Sequence, residues 1–125
     1  MSENIIAKII VDCCFKIHTT LGPGLLESVY EELLCYELQQ RKLSFTRQKG
    51  ISVVYEKVKM DLGFRADIIV ENTVIVEIKS VENIAQVHPK QLLTYLRLTN
   101  LKLGLLINFN EALIKNGITR IVNNL

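Results

Sequence analysis

Three charged side chains interrupt two stretches of otherwise apolar, strand-forming sequence. Asp67 precedes the apolar run 68–70, and Glu77 and Lys79 end a run that begins at Val74. Ionised groups within apolar strands are costly unless they are paired or bind a metal ion. Because side chains alternate along a strand, Glu77 and Lys79 share one face. Taken alone, this pair is more typical of a surface ion pair at a strand end, so the position of Asp67 decides whether a site exists.

The turn between the two strands determines that position. If Val70 pairs with Val74, the loop has three residues, 71–73, and Asp67 lies opposite Glu77. A loop of two residues would instead send the two carboxylates to opposite faces of the sheet. Asn72 tolerates the left-handed backbone conformation that a three-residue loop requires. The sequence therefore predicts that the two carboxylates meet.

Two carboxylates opposite each other repel, and a divalent cation reverses that cost. Oxygen ligands of this kind suit Mg²⁺ or Mn²⁺, which retain waters and accept phosphate oxygens from a substrate. An ammonium group beside the metal, here that of Lys79, orients or helps to deprotonate a water and offsets charge in the transition state. Asp67, Glu77 and Lys79 thus form a coherent candidate site for phosphodiester hydrolysis.

The elements that must position these residues follow from periodicity and from chain breaks. Isoleucines at helical spacing predict a first helix over about 3–20, the Gly22-Pro23-Gly24 break ends it, and a second helix runs over about 25–41. Strands are predicted over 51–55, 63–70 and 73–80. A third helix over about 89–99, with Pro89 in its first turn, precedes a buried strand over 103–109. Residues 118–122 are a last short strand or an edge.

This order predicts an α/β fold in one domain spanning residues 1–125, with a mixed four-stranded sheet flanked by helices in the order αα-βββ-α-β. The third strand, third helix and fourth strand form a right-handed crossover. Hydrophobic residues make up 49% of the 125 residues, enough for one core. The three cysteines, at 13, 14 and 35, are an odd number and indicate buried thiols rather than disulfides. No run is long enough to cross a membrane, and we expect a cytoplasmic protein.

The net charge of +2 does not by itself indicate nucleic-acid binding. Its distribution is more informative, because basic residues dominate from Arg41 to Lys59 and acidic residues dominate the segment just before. Each run taken alone is most often a solvated surface. Beside the carboxylates, however, the basic stretch suits phosphate contacts, and the candidates are Arg47, Lys49, Lys57, Lys59 and Arg65.

With these motifs in order, the sequence resembles the PD-(D/E)xK nuclease superfamily. The core motif matches Gly63-Phe64-Arg65-Ala66-Asp67 followed by Glu77-Ile78-Lys79, with Ala66 where proline is usual. Gln91-Leu92-Leu93-Thr94-Tyr95 is similar to the QxxxY motif of the RecB-like branch. Gly24-Leu25-Leu26-Glu27-Ser28-Val29-Tyr30 resembles the signature of the small GxxExxY family. The resemblance implies a restriction-endonuclease-like core.

The resemblance also implies roles for individual residues. Asp67 and Glu77 would bind Mg²⁺ or Mn²⁺, Lys79 would activate water, and Glu27 would add a carboxylate, often through water. Gln91 and Tyr95 would line the site, although their spacing of one helical turn is equally expected of a helix packing on a sheet.

Three functions remain open from the sequence. The first is a metal-dependent nuclease acting on nucleic acid, with DNA expected. The second is a nuclease-fold module that binds nucleic acid or a partner protein without cutting. The third, a hydrolase for other substrates or a purely structural domain, is the least favoured. Because the domain is small and symmetric dimers are the commonest oligomers, a homodimer is also expected.

Overall fold

The computed structural model describes residues 1–125 apart from the side chain of Leu62. The elements are α1 (Glu3–Leu21), α2 (Glu27–Gln40), β1 (Phe45–Tyr55), β2 (Val58–Val70), β3 (Val74–Lys79), α3 (Val87–Thr99), β4 (Leu103–Asn108), a short 3₁₀ helix (Ile114–Gly117) and β5 (Ile118–Val122). The predicted succession of helices and strands is therefore confirmed.

The strands form one mixed sheet in the order β1-β2-β3-β4-β5. Only β3 and β4 are parallel, and α3 connects them. The predicted count of four strands is wrong, because β5 pairs antiparallel with β4 from Ile107↔Ile118 to Leu103↔Val122. β5 is a half-exposed edge strand of five residues, so it lacks the continuous apolar run that identifies β4 in the sequence.

The hairpin of β1 and β2 is longer than the sequence predicted. β1 begins at Phe45 instead of residue 51, and β2 begins at Val58 instead of residue 63. The added part of β1 is largely polar and exposed, so backbone pairing with β2, and not burial, makes it a strand. α3 begins at Val87, which places Pro89 at the third helical position. That position is still within the first turn, where a missing N–H breaks no helical hydrogen bond.

Two apolar layers enclose the sheet. On one face α1 and α2 pack against alternate residues of β2, β3 and β4, including Ile68, Val76 and Leu105. On the other face α3 packs against their neighbours, including Ile69 and Ile75. The three cysteines are free and buried, as predicted. In the described part of the chain, no helix is long and apolar enough to span a membrane.

Candidate active site

The turn at residues 71–73 fixes the register of the central hairpin. Val70 pairs with Val74 and the ladder continues to Ile68 opposite Val76. Glu71 and Asn72 have φ angles of 52° and 52°, in the left-handed region. The predicted three-residue loop is confirmed, and the next position of this register places Asp67 opposite Glu77.

Beyond Ile68 the backbone ladder between β2 and β3 gives way to side-chain hydrogen bonds. The Asp67 amide donates to Glu77 Oε1 at 3.4 Å, and the Ile78 amide donates to Asp67 Oδ2 at 2.8 Å. The regular alternation of side chains between the two faces of the sheet also breaks here. Ala66 packs in the α3 layer, whereas Ile68, two residues later, packs in the α1–α2 layer. The interruption lets the Asp67 carboxylate reach across to β3, so the two carboxylates converge.

This arrangement disfavours the ionised form of Glu77. Its side chain is buried, with a relative exposure of 8%. Burial is the main cause that raises the pKa of Glu77 to about 9, and the charge of Asp67 raises it further. The charge of Lys79 lowers this pKa, but it is the smallest of the contributions. Without a cation, Glu77 therefore holds its proton at neutral pH.

The carboxylate oxygens that remain open fit a divalent ion. Asp67 Oδ1 accepts only a long hydrogen bond of 3.4 Å from Gln48, and within the described chain Glu77 Oε2 accepts none. A cation between two repelling carboxylates would offset both the burial and the repulsion that keep Glu77 protonated. Asp67 and Glu77 are therefore a donor pair suited to Mg²⁺ or Mn²⁺.

Glu27 shares a cleft with Asp67 without joining the pair of carboxylates. The cleft has a volume of about 300 Å³, and its lining residues are Glu27, Ser28, Glu31, Gln48, Asp67 and Ile78. Glu27 Oε2 accepts a hydrogen bond of 3.2 Å from the Ser80 amide, which ties α2 to the end of β3. Among the residues that the structure describes, no three His, Cys, Asp or Glu side chains are grouped so that they could hold a metal ion.

Two residues of the cleft were not predicted from the sequence. Gln48 Nε2 donates to Glu31 Oε1 at 2.8 Å and to Asp67 Oδ1 at 3.4 Å, so it connects α2 to the site. Gln48 has φ 51°, which is uncommon for a residue with a side chain and is often found at functional sites. Glu31 lies one helical turn after Glu27, a spacing that could have indicated it. Nothing in the sequence signals the backbone conformation of Gln48.

Arg47 is already engaged in ion pairs with α2. Its guanidinium donates to Glu31 Oε2 at 2.8 Å and forms a second ion pair of 2.8 Å with Glu32. The other predicted phosphate contacts, Lys49, Lys57, Lys59 and Arg65, are exposed on the β1–β2 hairpin. Arg65 Nη1 donates to the Gln48 carbonyl at 3.3 Å, close to Asp67.

The residues predicted on α3 differ in how closely they approach the carboxylates. Tyr95 is buried, and burial together with the charges of Glu77 and Asp67 raises its pKa to about 12. Its ring packs against that of Phe64, with centroids 5.0 Å apart. Gln91 and Lys79 are half-buried, and neither side chain forms a hydrogen bond within the described residues.

Comparison with known protein families places the chain in one of them. The model of the PD-(D/E)XK nuclease superfamily matches residues 4–121. The chain belongs to the PD-(D/E)XK nuclease superfamily. No curated protein matches the sequence, and no solved structure matches it. The finer GxxExxY and RecB-like assignments stay predictions, as does the assignment of Asp67, Glu77 and Lys79 as site residues.

Proposed function

We propose that this member of the PD-(D/E)XK superfamily is a metal-dependent nuclease that hydrolyses phosphodiester bonds of DNA. The observation that carries the proposal is the convergence of Asp67 on the buried Glu77, where two carboxylates meet with little compensating positive charge. A structural domain gains nothing from such a pair, whereas a cation site requires it. The GxxExxY signature from Gly24 to Tyr30 supports placing the chain in that smaller family of the RecB-like branch.

The proposed roles of the residues are those that the superfamily resemblance implies. Asp67 and Glu77 would hold Mg²⁺ or Mn²⁺, and Glu27 would contribute from the adjoining cleft through water. When bound, the ion supplies Lewis acidity toward phosphoryl oxygens and water. Lys79 orients the attacking water and offsets charge that develops on the phosphate. Tyr95, near both carboxylates, contacts the substrate backbone.

Other residues support binding. Gln91, one turn before Tyr95 on α3, lines the site from the same helix. Lys49, Lys57, Lys59 and Arg65 contact phosphates along the hairpin, where they are exposed. For Arg47 we propose a positioning role in place of the predicted phosphate contact. Its guanidinium binds Glu31, and Glu31 in turn positions Gln48 beside Asp67.

Cleavage and metal binding test the proposal together. Labelled DNA and RNA, single-stranded and duplex, would be incubated with Mg²⁺, Mn²⁺, Ca²⁺ or chelator. We expect cutting of DNA with Mg²⁺ or Mn²⁺ only, and loss of cutting in Lys79→Ala and Glu77→Ala. The variants Lys102→Ala and Glu82→Ala, which remove exposed charges elsewhere, are the matched controls and should cut normally.

Calorimetric titration with Mn²⁺ separates the two roles. Lys79→Ala should bind the ion and fail to turn over, whereas Glu77→Ala should lose the ion. Wild-type protein that binds no divalent ion at millimolar concentration, even with DNA present, would refute the catalytic function.

A binding module without catalysis is the second candidate. The observation in its favour is that Glu27 is held by the Ser80 amide and does not join the pair of carboxylates. This module would bind nucleic acid or a partner protein equally well with chelator and with Mn²⁺, and Glu77→Ala would leave that binding intact.

A further inference from the structure

A groove of about 460 Å³ lies between the β1–β2 hairpin and the end of α3. Its apolar lining includes Ile51, Val54, Leu98 and Leu101, and its basic lining is Lys49 and Lys59. Ile51 packs in the same apolar layer as Tyr95, so the groove opens on the face of the sheet that α3 covers. The superfamily's carboxylates, Asp67 and Glu77, are not among the groove residues.

Phe64 lies between this groove and Tyr95. It pairs across the hairpin with Ile51, which lines the groove. Its ring lies 5.0 Å from that of Tyr95, at an interplanar angle of 42°. Tyr95 in turn is close enough to Glu77 for the carboxylate charge to raise its pKa. The groove and the two rings therefore lie next to one another on the face of the sheet that α3 covers.

The local backbone geometry leaves the Phe64 ring partly exposed to solvent. The register of β1 with β2 shifts between Ile51 and Val53, directly beside it. A Cβ atom on Gly63 would lie 1.7 Å from the Ile51 carbonyl oxygen, so only glycine permits this approach of the two strands. Irregularities of this kind re-aim side chains beside active sites. The Phe64 side chain remains 38% exposed although Tyr95 supports its ring.

The charge of the groove suits a phosphate backbone. Within the described residues, Lys49 forms no ion pair. Lys59 lies 3.9 Å from Asp61 with both side chains exposed, an arrangement that neutralises little. The groove therefore offers two lysines to an anionic strand, next to an apolar floor and an exposed aromatic ring.

The hydroxyl groups of the groove are already engaged. Ser52 Oγ donates to Asp61 at 3.0 Å, and Thr99 Oγ1 donates to the Tyr95 carbonyl at 2.8 Å. The 2′-hydroxyl group is what allows a protein to distinguish RNA from DNA. Each hydroxyl has already given its one proton, so neither can donate a hydrogen bond to a 2′-hydroxyl oxygen.

We propose that Phe64 and this groove bind single-stranded DNA, with one base stacked on the Phe64 ring and phosphates held by Lys49 and Lys59. Bases in a duplex stack on each other, so an exposed ring engages unpaired bases. This inference rests on the proposed nuclease function and names its substrate as an unpaired strand that enters the site past Phe64.

The chain contains no tryptophan, so Phe64→Trp introduces a single fluorescent reporter. Titrating this variant with a 12-nucleotide single strand in Ca²⁺ should quench the indole, because the base stacks on it. The matched duplex and the RNA of the same sequence should quench it less. Phe15→Trp is the control, since Phe15 lies on α1 with a similar exposure of 41%, and its indole should not respond.

A second variant tests the affinity without relying on fluorescence. Phe64→Leu should weaken single-strand binding about tenfold, as expected for loss of one stacked base, and should leave duplex binding unchanged. Lys49→Ala should lower the salt dependence of single-strand binding, with the slope of log K against log salt falling by about 0.7. Circular dichroism confirms that each variant folds.

The outcomes separate this inference from the nuclease proposal. Equal binding of duplex and single strand, with an unquenched indole and no effect of Phe64→Leu, would overturn the inference and leave the nuclease function in place. Equal quenching by RNA would overturn the assignment to DNA. Quenching by the single strand without cleavage of any substrate would support single-strand binding at the groove and contradict the nuclease function.

Discussion

Replacing Glu77 by glutamine should stabilise the metal-free protein, and by more as the pH rises. Glu77 is buried beside Asp67, and these surroundings raise its pKa from 4.5 to about 9. Glutamine keeps the size of the side chain and an oxygen that can accept from the Asp67 amide, but it cannot ionise. The substitution therefore removes the titration and retains the packing.

The magnitude follows from linkage between ionisation and folding. The unfolded chain releases the Glu77 proton near pH 4.5, whereas the folded protein retains it until about pH 9. Between these values the free energy of unfolding falls by about 1.4 kcal/mol per pH unit on account of this group. From pH 5 to pH 8 the loss is about 4 kcal/mol, all of it absent in Glu77→Gln. The variant should resemble wild type at pH 5 and exceed it clearly at pH 8.

Urea unfolding at pH 5, 6, 7 and 8 in the presence of chelator measures this difference. Glu82→Gln, which removes an exposed carboxyl five residues later, is the control and should follow wild type at every pH. Parallel pH profiles for wild type and Glu77→Gln would show that Glu77 ionises freely in the folded protein, and the account of the paired carboxylates would fail.

Three further outcomes are expected. Asp67→Asn should leave the melting temperature of metal-free protein equal or higher, since it removes the charge that repels Glu77; a large drop in calorimetry would make Asp67 a structural hydrogen-bonding residue. Arg47→Ala should lower the free energy of unfolding, measured in urea, by about 2 kcal/mol, because it leaves the buried Glu31 without its ion-pair partner. Lys49→Ala should change the free energy of unfolding by less than about 0.5 kcal/mol. Light scattering should give the mass of a homodimer, and a monomer mass at high concentration would exclude it.

The central hairpin shows how much the sequence could predict. The loop at residues 71–73 has local chemistry that selects its length, and the loop length alone places Asp67 opposite Glu77. The succession of helices follows in the same way from apolar periodicity. Each of these features depends on residues that are close together in the sequence.

The features that the sequence left open or missed depend on contacts between distant segments. β5 is a strand because β4 offers it a free edge, and its own residues alternate only weakly in burial. Arg47 looks like a phosphate contact until α2 brings Glu31 and Glu32 beside it. The unusual backbone of Gln48 likewise has meaning only once Asp67 lies within reach of its amide.

The uneven pairing of β2 has a consequence for motion. Residues 68–70 of this strand are held by neighbours on both sides, whereas β2 pairs only with β1 from Val58 to Ala66. Segments with a single neighbouring strand open locally at lower free energy than the core of a sheet. Asp67 lies at this boundary and Glu77 lies within the central strand. Hydrogen exchange should therefore show the outer hairpin opening as a unit up to Ala66, while Asp67, which is hydrogen-bonded to β3, and the rest of the protein stay protected.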